Sequence, residues 1–191
     1  MAFDAAAERR ARQFRTPREE REMLMMRRPV SVERAYALFG LLLGALPPAA
    51  IFVRLFGYGF TYERDWGYFT LPAMCLAMNT ICAFVGHRMG RAVGQPMIAG
   101  AERHSWTRTL LFTVLAAFAW ATATGAAGGA VFFGVGAIFG AFIALAVALP
   151  AFVVFTVFHR LLARGGMIEA RHLRPLAWGV AATAAALVAG L

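Results

Sequence analysis

The sequence predicts an all-α integral membrane protein: a bundle of five transmembrane helices behind a cytoplasmic, amphipathic N-terminal arm. Three observations predict it. Thr109 to Phe158 is a run of fifty residues without a charged side chain. One bilayer crossing needs ~20 residues, so this run holds two crossings joined by a tight turn. The 191-residue chain is 60% hydrophobic with a mean hydropathy of +0.63, where a soluble domain averages ~45–50% apolar. The excess lies in blocks, and most charges fall between them. The third observation is that the arginines sort to one side of those blocks.

Residues 1–34 form the arm and 35–191 the bundle. Ala5–Arg15 reads as a short helix. Thr16-Pro17-Arg18-Glu19 is a capping box with proline at the first helical position, so a second helix begins there. It carries Met23 to Met26 and ends at Arg27-Arg28-Pro29. The arm is expected to lie on headgroups or to dock a partner. Ser31 is the expected N-cap of the next helix, with Glu33 favourably placed in its first turn.

The spans are expected at about 35–56, 67–87, 107–127, 130–158 and 175–191. The first contains Pro47-Pro48, which remove backbone donors and predict a kink. After it, Tyr58, Tyr62, Trp66 and Tyr68 crowd a short loop as an aromatic belt at headgroup depth. His87-Arg88 closes the second span, and a polar stretch, Met89–Arg108, follows. Glycine permits the positive φ of a sharp reversal, so the turn between the third and fourth spans is placed at Gly125–Gly129. A further kink is expected at Pro150. His159–Arg174 reads as polar. The last seventeen residues make a fifth span, or a re-entrant or surface helix if they do not cross, which would leave four spans.

Alternating the loops puts the nine arginines up to Arg34, then Arg88, Arg91, Arg103, Arg108, Arg160, Arg164, Arg171 and Arg174, on one side. Only Arg54 and Arg64 fall on the other. Seventeen against two is a strong positive-inside bias. It predicts a multi-pass protein of the inner (cytoplasmic) membrane, N-terminus inside and C-terminus outside. Arg27, Arg28, Arg88, Arg91, Arg160 and Arg164 are the expected cytoplasmic anchors. This topology accounts for the +9 net charge, and no nucleic-acid partner is expected. The absence of lysine fits the codon bias of a GC-rich genome.

Chemistry inside a membrane usually needs ionisable groups within the bundle. Apart from Arg54 and Arg108, each within two residues of a span end, no Asp, Glu, Lys or Arg lies inside the five spans. That argues against a carboxylate proton relay and an ion pump. G-x-S-x-G, H-E-x-x-H, P-loop and C-x-x-C motifs are absent from the sequence. No catalytic residue and no metal site is predicted.

His87, His104, His159 and His172 all fall at predicted cytoplasmic span ends, as interfacial anchors. His87 and His159 are the candidates for holding a cofactor there, although no cofactor is expected beyond bound lipid. Cys75 and Cys82 lie ~10.5 Å apart along one helix, beyond the ~7 Å limit for a disulfide. With Asn79 they form one stripe, and a mid-membrane amide needs partners. Gly136 and Gly140 make a G-x-x-x-G, with Gly129 nearly in line, a surface for packing within the bundle or onto another subunit.

These features point to a non-catalytic accessory, scaffold or assembly subunit of a larger membrane complex. The alternatives are a small transporter or channel, and a membrane enzyme or cofactor carrier.

Overall fold

The structure, a computed structural model, describes residues 29–57, 67–98, 105–163 and 167–190. These form strand β1 (Pro29–Ser31), helix α1 (Val32–Gly57), α2 (Gly67–Ile98), α3 (Trp106–Gly129), a 3-10 turn (Ala130–Phe132), α4 (Phe133–Leu162), strand β2 (Met167–Glu169) and α5 (Ala170–Ala189). The described chain is almost all helix. Three stretches in it are long and apolar enough to cross a membrane: Val32–Phe56, Phe69–Gln95 and Trp106–Leu162. The last folds back on itself as the α3–α4 hairpin. Helix α5 carries Arg171, His172 and Arg174 in its first two turns and is not one of the three.

Helix α1 is the centre of the bundle. Ser31 Oγ accepts from the Arg34 amide (3.5 Å), and Glu33 sits in the first turn where the helix dipole favours it. Val32, Ala35, Tyr36, Phe39, Leu42 and Leu43 are buried at helical spacing. Helix α2 packs antiparallel on α1 through glycine. A Cβ at Gly40 would collide with the Gly86 carbonyl, and one at Gly86 would lie 2.5 Å from the Gly40 carbonyl. Gly44 meets Cys82 O, Gly90 meets Tyr36 O, and a Cβ at Gly94 would lie 2.9 Å from Glu33 Cα. Without side chains between them the two backbones touch, and dispersion holds them.

The hairpin repeats the device. Gly125 lies on Gly140 and Gly129 on Gly136, each backbone within reach of the other's carbonyl. Helix α5 runs parallel to α1, burying Ala170, Leu173, Ala177 and Ala181. At their starts β1 and β2 pair antiparallel, Val30 opposite Ile168. At their far ends Gly190, in the left-handed conformation at φ 75°, caps α5 beside the Arg54 guanidinium.

An aromatic core joins α1, α3 and α4. Phe39 stacks on Phe155 at 4.0 Å, and Tyr36 meets the same ring edge-on at 5.2 Å. Tyr36 Oη and Thr156 Oγ1 share a buried hydrogen bond of 2.7 Å. Trp120 packs on Phe152 and donates to the Gly86 carbonyl (2.9 Å).

Four expectations are corrected. The turn is not at Gly125–Gly129, which are helical and make the seam. The chain reverses at Ala130–Phe133, and the positive φ falls on Phe133 (65°), a non-glycine. The second helix does not stop at His87 but continues to Ile98, because Gly90 and Gly94 extend the seam and Arg91 Nε pairs with Glu33 Oε1. The segment His159–Arg174 is not simply polar: α4 runs to Leu162, and Met167–Glu169 is a strand. The last helix starts at Ala170, not Pro175, which lies inside it. Pro175, in the second turn, leaves the Arg171 carbonyl without its i+4 donor.

Candidate functional site

Helices α1 to α4, with the end of α5, line a half-open cavity of about 480 Å³ in the half of the bundle away from the β1–β2 ribbon. Ligand cavities run ~300–1,000 Å³. On α1, Leu43, Gly44, Pro47 and Pro48 line it. A proline cannot donate to the carbonyl four residues earlier. The carbonyls so left are those of Leu43 and Gly44, so the break in the α1 hydrogen-bond ladder lies at the cavity wall. The helix runs unbroken through both prolines, and α4 runs through Pro150 likewise.

On α2 the wall is Leu71, Cys75, Met78 and Cys82. Both cysteines are buried and free. Cys82 Sγ donates weakly to the Thr124 carbonyl (3.7 Å) and occupies the space a Cβ on Gly128 would take. The hairpin contributes Trp120, Thr124, Gly125 and Gly129 from α3, and Gly136 and Gly140 from α4. The glycine positions flagged in sequence therefore do two things. They seal α3 to α4, and they leave open space on the side facing α1.

Polar atoms at this wall are few. Away from the wall, Thr109, Thr113, Thr122, Thr80 and Thr183 each donate to the carbonyl four residues back. Thr124 does not: its Oγ1 is buried without a hydrogen bond, although the residue is 2% exposed. Asn79 Oδ1, on the same helix face as Cys75 and Cys82, is also buried without a partner.

His87 and His159 both lie against α1. They meet neighbouring residues of α1: His87 Nδ1 donates to the Ala37 carbonyl (3.2 Å), while His159 packs on Tyr36 at 5.6 Å. His159 is buried within the bundle. Its Nε2 makes no hydrogen bond, and its ring also contacts Phe155 at 5.8 Å. Among the described residues no three His, Cys, Asp or Glu side chains converge as a metal site. His172 is exposed.

The arginine anchors lie at the ribbon end. Arg91 pairs with Glu33, Arg171 with Glu169 (2.6 Å), and Arg160 reaches Thr109 Oγ1 with its guanidinium over the Trp106 ring at 4.4 Å. Arg88 lies over Phe84 at 5.2 Å. Arg27, Arg28, Arg164, Tyr58, Tyr62, Trp66, His104 and the helices expected in the arm lie outside the described residues. Tyr68 is in the first turn of α2.

Sequence reading missed the cavity and the larger glycine seam. The signal for the seam was present as Gly40-x-x-x-Gly44 and Gly86-x-x-x-Gly90-x-x-x-Gly94, the spacing already noted on α4. Nothing in the sequence pairs Pro47 and Pro48 with Gly136 and Gly140. Compared with known protein families, characterised proteins and solved structures, the chain matches none.

Proposed function

We propose that the protein is a five-span inner-membrane protein, N-terminus cytoplasmic and C-terminus outside, that serves as a non-catalytic accessory, scaffold or assembly subunit of a larger membrane complex. The seventeen-to-two arginine asymmetry supports the orientation. The parallel course of α1 and α5, both starting from the ribbon, supports an odd number of crossings.

The observation that carries the subunit reading is the outer side of α2. Only 17% of its most apolar window is buried by the rest of the chain, against 44% for α1. The uncovered side presents Ala73, Ala77 and Thr80 between Leu76 and Phe84. Small residues flanked by large apolar ones are what a helix from another subunit packs against in a membrane.

Native mass spectrometry of the tagged protein, extracted gently from its host membrane, tests this. Foreign subunits in fixed ratio are expected, and Ala77→Leu should release them while leaving the thermal melt of the chain unchanged. A bare chain from the unmodified protein would overturn the reading. The cavity favours a second reading, a small transporter of an apolar cargo, because its walls adjoin the proline break in α1.

A further inference from the structure

The central cavity is not isolated. A second hollow of about 520 Å³ lies between α4 and α5, lined by Pro150 and Val154 on one side and Pro175 and Gly179 on the other. Val147 and Val188 line both spaces. Two valine side chains therefore stand between the interior of the bundle and a groove on its surface. The groove mouth is open: a Cβ on Gly179 would meet nothing within 4 Å, and Phe158 and Leu187 at its edges are 50% and 72% exposed.

We propose that groove and cavity form one binding site for the hydrocarbon chain of a bilayer lipid, which enters sideways between α4 and α5, passes Val147 and Val188, and ends beside Trp120. This inference rests on the chain being membrane-embedded. The wall chemistry selects the occupant. Among the described residues no charged side chain lines either space. The Thr183 hydroxyl in the groove is bonded to Gly179 O, and Cys82 in the cavity to Thr124 O, while Thr124 Oγ1 at the cavity wall is a neutral hydroxyl without a hydrogen bond.

A phosphate or ammonium group would find no counter-charge here and would lose its hydration. The head group accordingly stays at the groove mouth, and only the tail is accommodated. Apolar walls do not retain water, and cavities lined by apolar side chains take up apolar guests. A bilayer supplies one at every lateral opening. Ala146, Ala151, Gly179 and Ala184 line the groove and bring too little side chain to fill it.

The test uses Trp120, which lies on the cavity wall and is 2% exposed. With Trp66→Phe, Trp106→Phe and Trp178→Phe it is the sole tryptophan. The full chain is reconstituted into phosphatidylcholine vesicles with or without bromine on the acyl chains. Flotation with the vesicles reports membrane association. Loss of Trp120 emission in brominated vesicles is expected, since bromine quenches on contact and a ring 2% exposed meets an acyl chain where that chain has entered the cavity.

Val147→Phe with Val188→Phe should restore the emission by filling the connection. Flotation without quenching would overturn the lipid site while leaving the membrane reading intact. Failure to float would overturn the membrane reading and the site with it. Quenching that survives the paired substitution in a floated protein would overturn the portal. If the paired variant does not fold, Val188→Phe alone is used for the same comparison.

Discussion

Phe133 holds the least favourable backbone conformation in the described chain, φ 65° and ψ −173°. That region is essentially reserved for glycine, and a bulky residue there costs ~1–3 kcal/mol. Its ring is 82% exposed, so packing gives little in return. Phe133→Gly should therefore raise the stability of the purified protein by about 1 kcal/mol, read as a higher midpoint of thermal unfolding in detergent. An unchanged or lower midpoint would overturn the assignment of strain to this position. The lesson for the sequence reading is local. Glycine was assigned to the turn for its freedom at positive φ, whereas Gly125, Gly128 and Gly129 are helical and used for their missing side chains. The two roles look the same in a sequence.

At the scale of elements, the α1–α2 pair sets apart two kinds of contact. The Glu33–Arg91 ion pair is largely solvent-exposed on the arginine side, and such pairs contribute ~0–1 kcal/mol. The Gly40–Gly86 contact is backbone on backbone with no slack. Overpacking a tight core costs ~1–3 kcal/mol, and here the obstacle is a carbonyl that cannot rotate away. Gly86→Leu is expected to separate α1 from α2 and to expose Cys82 to maleimide. Arg91→Ala should leave Cys82 protected. Gly136→Leu should open the α3–α4 hairpin in the same way. Equal protection in all three variants would show that the seams do not hold the bundle together.

For the whole molecule, the arginine asymmetry makes a prediction about sides. With Cys75→Ala and Cys82→Ala as background, single cysteines at Arg18 and Tyr62 should label from opposite faces of the membrane. Access from the same face would sink the topology and the five-span reading. Much of this was legible in the sequence. The apolar blocks, the reversal inside the fifty-residue run and the positions of Arg88, Arg91, Arg160, Arg171 and Arg174 needed only counting, because bilayer thickness and charge exclusion act on each segment by itself.

The sequence by itself therefore determined a nearly all-helical chain with segments apolar and long enough to cross a membrane, the positions of those blocks and the asymmetry of their ends. Only the tertiary structure decided which faces meet. Every helix here is apolar around most of its circumference, so hydropathy does not mark an inner side as it does in water. The choice falls to shape. Gly40 finds Gly86, Gly125 finds Gly140, and the aromatic rings of Tyr36, Phe39, Phe152 and Phe155 fill one half of the bundle. The other half, where Pro47, Pro48, Gly136 and Gly140 bring no bulk, is left hollow. A cavity is the space that side chains from several helices fail to fill, and no single stretch of sequence records it.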